Sequence, residues 1–248
     1  MVDPGRLAEQ EIEHSRRVAA RCPEMTWGWE TPAGRIRARR RADLIAASVG
    51  LRADMRVLEI GCGTGLFTAM FAQTGAALMA IDISEELLEK AKARGLPEDR
   101  VRFLRGRFED HDPGGPFDAV IGSSVLHHLD IGVALARIHA LLTPGGAMCF
   151  AEPNMLNPQV CLERFCRRWF PYVSPQETAF VARSIHRSLV SVGFEDIIIT
   201  PFDWLHPATP RPMIPLVQTA GRWLERVPGV RGCAGSLLIR ARRPSMKR

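Results

Sequence analysis

The stretch Val57-Leu58-Glu59-Ile60-Gly61-Cys62-Gly63-Thr64-Gly65 constrains this chain more than any other. A short apolar run ends in a carboxylate, three glycines alternate over five residues, and an apolar helical segment follows. This reads as a strand, a tight loop and a helix start, an α/β unit built to bring a ligand against the main chain. Glycine permits positive φ and lacks the Cβ that would bar close approach. The helix start beyond it offers N–H groups with no partner inside the helix. A phosphate-cradling loop would end in Gly-Lys-Ser/Thr, but Leu66-Phe67 follow Gly65. A dinucleotide fingerprint needs G-x-G-x-x-G. Counted from Gly61 its third position is Leu66, and counted from Gly63 it is Thr68.

Apolar runs and helical patterns then alternate. Strands are expected at 55–60, 76–82, 101–105, 117–122 and 146–152, and helices at 65–74, 84–94 and 131–142. The last of these helices has Asp130 as its N-cap and an apolar stripe through Ala134, Leu135, Ile138 and Leu141, and Pro144-Gly145-Gly146 stops it. Strands separated by helices imply crossover connections and a parallel sheet, with ligands at the carboxyl ends of the strands. Upstream, 6–20 reads as a polar helix, 23–34 as an aromatic loop carrying Trp27 and Trp29, and 35–49 as a helix rich in Arg and Ala. Downstream, 153–173 is apolar and basic, with Trp169, Phe170 and Tyr172. Ser174-Pro175-Gln176-Glu177 reads as a capping box for a helix that carries Val181, Ile185, Leu189 and Val192 and ends at Gly193. Closing strands are expected at 194–200 and 236–242. The intervening 201–235 is long for a connection; it holds five prolines in 201–215 and an amphipathic helix expected at 213–226, and reads as a cap over the site.

The pattern E-x-G-x-G-x-G resembles motif I of the class I S-adenosylmethionine (SAM)-dependent methyltransferases. Ala80-Ile81-Asp82-Ile83-Ser84 matches motif II, and Phe117-Asp118-Ala119-Val120-Ile121-Gly122 resembles motif IV. Ser123-Ser124-Val125-Leu126-His127-His128-Leu129-Asp130 is similar to the leucine-His-His-leucine form of the small-molecule branch, and Leu141-Leu142-Thr143-Pro144-Gly145-Gly146 completes the pattern. The resemblance covers about 55–200. It implies an α/β fold with a Rossmann-like, seven-stranded, mostly parallel sheet and helices on both faces. This chain adds N-terminal helices and a cap insertion before the last strand. The domain reading is 1–50 as a helical segment contributing to a substrate lid, 51–200 as the SAM-binding core, 201–235 as the cap, and 236–248 as the last strand and a basic tail.

The resemblance also implies the cofactor, SAM, with S-adenosyl-L-homocysteine as product, and assigns its contacts. Glu59 would bind the methionine amino group, Gly61, Gly63 and Gly65 would bring main chain against the ribosyl-methionine portion, and Asp82 would accept both ribose hydroxyls, since Ser84 already supplies the N-cap of the next helix. Cys62, Ile83 and Ser123 belong to the same cofactor site. Arg107 stands where the family usually has an acid or amide at the adenine, and can stack on the ring; Phe108 would pack on it. Asp118 reads as structural.

Methyl transfer is an in-line displacement at carbon, so the protein chiefly aligns its reactants, which is worth roughly 7–11 kcal/mol. An oxygen nucleophile also needs a base, usually His. His127, or its neighbour His128, and Glu152 at the end of the fifth strand are the catalytic candidates. The implied activity is methyl transfer to a small-molecule acceptor, at oxygen, of amphiphilic or lipid-like character. The alternatives are a nucleic-acid or protein methyltransferase, against which the missing Asn/Asp-Pro-Pro-aromatic motif stands, and a catalytically silent SAM-binding protein, which the Arg107 departure keeps open.

Five of the net +6 charges fall in 240–248, and Arg35, Arg37, Arg39, Arg40 and Arg41 form a second cluster, read as a solvated helix face. Without interleaved aromatics neither cluster suits nucleic acid, so no nucleic-acid partner is expected; the basic and apolar cap regions admit peripheral membrane contact. The six cysteines show no zinc spacing, so no metal is expected. The absence of a signal-peptide pattern at the N-terminus leads to the expectation of a cytoplasmic protein with reduced thiols.

Overall fold

The computed structural model describes residues 22–166 and 179–245, together with Glu13, Arg16, Ala19 and Ala20. Its seven strands are β1 (Arg56–Ile60), β2 (Ala77–Asp82), β3 (Val101–Arg105), β4 (Phe117–Ser123), β5 (Leu142–Pro153), β6 (Glu195–Phe202) and β7 (Ser236–Arg242). They form one sheet in the order β3-β2-β1-β4-β5-β7-β6. The pairs among β1 to β5 are parallel, and β7 runs antiparallel to both β5 and β6. The order reverses between β1 and β4, and a crevice at such a switch point is where open α/β sheets bind ligands.

The helices are α1 (Pro32–Val49), α2 (Leu66–Ala72), α3 (Glu85–Lys92), α4 (Ile131–Leu141), α5 (Pro158–Phe165), α6 (Ala182–Val192) and α7 (Ile214–Leu224). Side chains alternate across each strand, so Val57 and Leu58 enter different cores. Val57, Leu78 and Ile121 pack with Ala38, Ala42 and Ile45 of α1 and Phe67 and Phe71 of α2. Leu58, Ile60, Val120 and Phe150 pack with Leu135 and Ile138 of α4 and Ile185 and Leu189 of α6. The expected fold class is therefore observed. No helix among the described residues is long and apolar enough to cross a membrane.

Several boundaries move for identifiable reasons. α1 starts at Pro32, inside the expected loop, because Thr31 accepts a hydrogen bond from Gly34 N and Pro32 stands in the first turn. A single helical turn, Pro23–Thr26, precedes it. β5 begins at Leu142, so the residues read as a helix stop already lie in the strand, with a register shift between Phe117 and Ala119 opposite them. α6 begins at Ala182 and ends at Gly193, φ 100°, as expected. The capping box at 174–177, the aromatic residues of 169–172 and most of the 6–20 helix lie outside the described residues.

The tightest point in the sheet is Gly122 of β4. A Cβ there would stand 2.9 Å from the Ile60 carbonyl oxygen and 2.7 Å from the Phe150 ring. Gly122→Ala is expected to cost about 1–3 kcal/mol through overpacking, seen as a lower urea midpoint at constant slope. An unchanged midpoint would mean that β1 and β5 yield freely there.

Candidate active site

β1 ends on Ile60, and the chain turns at once. Gly61, Gly63 and Gly65 have φ of 68°, 52° and 74°. A side chain at Gly61 would strike Val125, the nearest atom at 2.4 Å, so the absent Cβ lets the glycine loop touch the turn after β4. The Gly61 and Cys62 amides donate to the Ile81 carbonyl (2.8 and 3.2 Å), holding the loop on β2. Asp82, at the end of β2, accepts from Gly63 N at 2.8 Å and from Ser84 N at 2.9 Å. Ser84 caps α3 through Leu87 N, as expected, but Asp82 has a structural task as well: it fixes the loop. Ile83 beside it is half-buried, and Cys62 is buried, its thiol pushed well above the ordinary range by burial and then by Asp82.

Glu59 is almost fully buried, and its Oε2 has no hydrogen-bond partner. Burial first, and the charge of Asp82 in addition, push its carboxyl up to about 8. A buried orphaned carboxyl oxygen beside a glycine cradle suits a cationic donor, because a nearby positive charge would favour its ionised form. The ammonium of a methionine moiety is such a donor, so these residues fit the cofactor that the motifs imply.

At the end of β3, Arg107 is held by Glu109 (3.4 Å) and Asp110 (3.0 Å). Phe108 is turned into the core, with the Arg137 guanidinium 5.7 Å from its ring centroid. Asp118 accepts from Arg56 N at 2.8 Å, a structural tie at the strand entrance.

The turn after β4 is organised by Glu152. This fully buried carboxylate, at the end of β5, accepts from Val125 N and Leu126 N through one oxygen, both at 3.0 Å. Its other oxygen lies 2.6 Å from His127 Nδ1. Burial alone would raise the Glu152 pKa, but the His127 hydrogen bond and charge and the two amides together lower it. An ionised Glu152 accepts, so Nδ1 carries the proton and Nε2 is the basic nitrogen. His127 is buried, whereas His128 is exposed, with its ring centroid 4.1 Å from that of His127. Asp130 caps α4, as expected, by accepting from Gly132 N and Val133 N.

The arginine cluster of α1 is where the sequence reading fails. Arg35 and Arg39 are exposed, but Arg41 is buried at the carboxyl end of the sheet. It donates to Ser123 Oγ (3.3 Å), Ser124 Oγ (2.9 Å), the Ala151 carbonyl (3.1 Å) and Ser236 Oγ (2.6 Å). Burial, with Arg37 nearby, pushes its pKa down to about 10, so it stays charged at neutral pH. Trp29 lies under both Arg37 and Arg41, each 5.4 Å from the ring centroid. Arg37 pairs with buried Asp203 at 2.8 Å, and Arg40 grips Glu225 with two hydrogen bonds of 2.9 and 2.5 Å. Both acids bracket residues 203–225. Thr31 Oγ1 also donates to the Pro207 carbonyl at 2.7 Å. The helical turn at 23–26 reaches the glycine loop: Glu24 accepts from Thr64 Oγ1 at 2.7 Å and pairs with Arg94, and Trp27 lies beside Gly63. In the sequence, only the density of arginines beside Trp29 hinted at any of this.

A methyltransferase-domain family model matches residues 57–146, the span that holds the glycine loop, Asp82 and the His turn. An uncharacterized methyltransferase of Mycobacterium tuberculosis is 35% identical over 106 residues, 41% of this chain and 53% of that protein. The chain thus spans about half the length of the first curated relatives it matches. A ubiquinone biosynthesis O-methyltransferase of Nitrobacter winogradskyi is 29% identical over 175 residues, 66% of this chain and 67% of that protein. The N-methyltransferase NodS from Bradyrhizobium japonicum, in complex with S-adenosyl-L-homocysteine, superposes with a TM-score of 0.65 over 94% of this chain and 98% of NodS, at 19% identity. Residues 57–146 match a methyltransferase domain, and they lie in a fold of the Rossmann-like type. In its matched domain and in its fold the chain is similar to the class I SAM-dependent methyltransferases.

Arg41 offers a test of how the site is held. Arg41→Met would remove the donor that three serine hydroxyls share, while the Ala151 carbonyl would keep Ser124 N. Each acceptor left buried and unsatisfied costs about 1–3 kcal/mol, so a clear fall in the denaturation midpoint is expected. An unchanged midpoint would place Arg41 among the buried charges that apolar groups replace without loss.

Proposed function

We propose that this protein methylates an oxygen atom of a small, amphiphilic acceptor. The observation that carries the reading is the Glu152–His127 pair, 2.6 Å apart and buried, on the turn that Gly61 touches through Val125. When bound, SAM supplies a methyl group on a sulfonium, a leaving group that needs no acid. The remaining requirement is an acceptor atom aligned and relieved of its proton. His127, oriented through Nδ1 by Glu152, takes that proton on Nε2. Glu152 holds the tautomer and stabilises the imidazolium that forms. Glu59 would hold the amino group, Gly61, Cys62, Gly63 and Gly65 the ribosyl-methionine portion through main chain, and Asp82 with Ile83 the ribose. Arg107 stands at the adenine end and Ser123 at the β4 end. His128, exposed on the same turn, is an acceptor contact.

Residues 201–235, tied to α1 through Asp203 and Glu225, act as the cap, and the Trp27–Trp29 segment as the opposite wall. Together they exclude water from the transfer. The oxygen assignment draws on the ubiquinone biosynthesis O-methyltransferases among the relatives. The apolar walls favour an acceptor with a hydrocarbon portion, and the location expected for the protein is the cytoplasm.

Transfer of isotopic methyl from SAM to hydroxylated aromatic acceptors with apolar tails tests the reading directly. His127→Ala should lower turnover by ~10²–10⁴-fold while leaving affinity for S-adenosyl-L-homocysteine near wild type; full activity would remove the base from the proposal.

Glu59 gives a second test. Its folded pKa, about 8, lies above the ~4.3 of an unfolded Glu. The ligand-free protein therefore binds more protons folded than unfolded between these values. The resulting stability is fully present below the unfolded pKa and is lost as pH rises through the folded one. An ammonium placed on Glu59 should expel its proton. Calorimetry of S-adenosyl-L-homocysteine binding near neutral pH, in buffers of different ionisation heat, should show release of up to roughly one proton, abolished in Glu59→Gln. Equal heats in all buffers would place the ammonium elsewhere.

A further inference from the structure

Helix α7 is apolar on two sides. Its inner face sets Ile214 and Val217 against Ala33 and Leu205, and Gly221 against Trp204. Its outer face carries Leu216, Ala220 and Trp223 at the i, i+4, i+7 spacing of one stripe. Leu216 and Trp223 are each 63% exposed. An amphipathic surface helix ordinarily buries its one apolar stripe, and a second, exposed stripe marks an interaction face.

The charge around the stripe says what covers it. The acids of 201–235 are Asp203 and Glu225, and both turn inward to Arg37 and Arg40. Arg211, Arg222, Arg226 and Arg231 are exposed and form no ion pair among the described residues. An outer surface of Leu and Trp edged by arginines, with its acids withdrawn, is complementary to a layer that is apolar within and negative at its rim. A second copy of the chain suits it poorly, because an isologous contact would bring Arg222 and Arg226 toward their own mates. α5 adds Leu162 and Phe165, 51% and 77% exposed, at the same end of the sheet. It is joined to the cap where Asn157 Nδ2 donates to the Cys233 carbonyl at 2.8 Å and Asn154 Nδ2 donates to the Gly232 carbonyl at 2.8 Å.

We propose that the outer face of α7, with Trp223 and Leu216 as apolar anchors and Arg222 and Arg226 as headgroup contacts, seats this protein on the surface of an anionic lipid bilayer. The cap spans from the end of β6 to the start of β7, and Ser236 of β7 pairs with Pro153 at the end of β5. Docking there turns the carboxyl ends of the strands toward the lipid. That an acceptor then enters from the lipid phase rests on the function proposed above; the docking itself does not.

The test is flotation of the full chain with vesicles of phosphatidylcholine alone and of phosphatidylcholine with phosphatidylglycerol. Flotation with the phosphatidylglycerol vesicles, weakened by salt and absent with phosphatidylcholine alone, is the expected result. Trp223→Ser and Leu216→Ser should each lose most of the bound fraction. Arg222→Glu with Arg226→Glu should lower partitioning by roughly fivefold or more per arginine. Calorimetry of S-adenosyl-L-homocysteine binding on the same variants keeps the outcomes apart. Wild-type affinity with lost flotation supports docking through α7, and it does so whether or not the acceptor proves to be a lipid. Failure of the wild-type chain to float, or flotation equal in Trp223→Ser, overturns the proposal. So does a dimer in sedimentation velocity that Trp223→Ser dissolves, which would assign the stripe to self-contact.

Discussion

An ionised carboxylate buried at the end of a strand is stable only if donors surround it, and Glu152 is surrounded by three. Two are the main-chain amides of Val125 and Leu126, and the third is the His127 ring. Meeting that requirement dictates the path of the chain after β4. The backbone must bend so that successive amides point back at β5, which draws the following histidine ring inward and leaves its neighbour outside. Ser124, with φ of 55°, sits at the bend, and strain of this kind persists where surrounding contacts over-determine it. The same bend carries Val125 against Gly61, so the glycine loop and the His turn are positioned by one another.

A second buried charge answers the first. Arg41 enters from the opposite side of the sheet and bonds to both serines of the β4 turn, to Ala151 of β5 and to Ser236 of β7. Three strand ends are gathered on one guanidinium, whose planar fork suits several acceptors at once in a way that an ammonium does not. Its neighbours on α1 extend the arrangement outward, Arg37 to Asp203 and Arg40 to Glu225. A helix that packs on the sheet through Ala38, Ala42 and Ile45 thereby also anchors the 203–225 segment. Exposed ion pairs contribute little, but Asp203 is buried and the Arg40–Glu225 contact is bidentate, which favours fixed geometry over a loose electrostatic attraction.

The glycine-loop half of the site was readable from residue order because its information is local. Glu59, the three glycines and Asp82 each lie at a strand end or in the loop after one, so alternation and glycine spacing place them. The fold class was readable for the same reason, with strand and helix periods alternating through 55–200. The ties around Arg41 and the 203–225 segment are long-range. Nothing in the order of residues says that Arg41 meets Ser236, or that Glu225 reaches back to α1. An arginine row reads as a solvated face until the strands that bury it are in place. His127 was singled out by motif, but its orientation by Glu152 depends on β4 and β5 lying side by side. Phe108, expected to pack on a base, lies in the core because the turn after β3 folds it under Arg137.

The two halves therefore respond differently to sequence change. A cradle made of main-chain amides and positive φ tolerates wide variation provided the glycines and strand-end acids remain. A wall made of named side-chain pairs does not: exchanging one member of Arg37–Asp203 or Arg40–Glu225 strands a buried or half-buried charge. Chains that keep the first half can rebuild the second without losing the fold. This explains how methyltransferases at 19% identity share the fold over 94% of this chain. The side-chain ties concentrate where α1 meets the 203–225 segment, through Thr31 with Pro207 and Arg37 with Asp203.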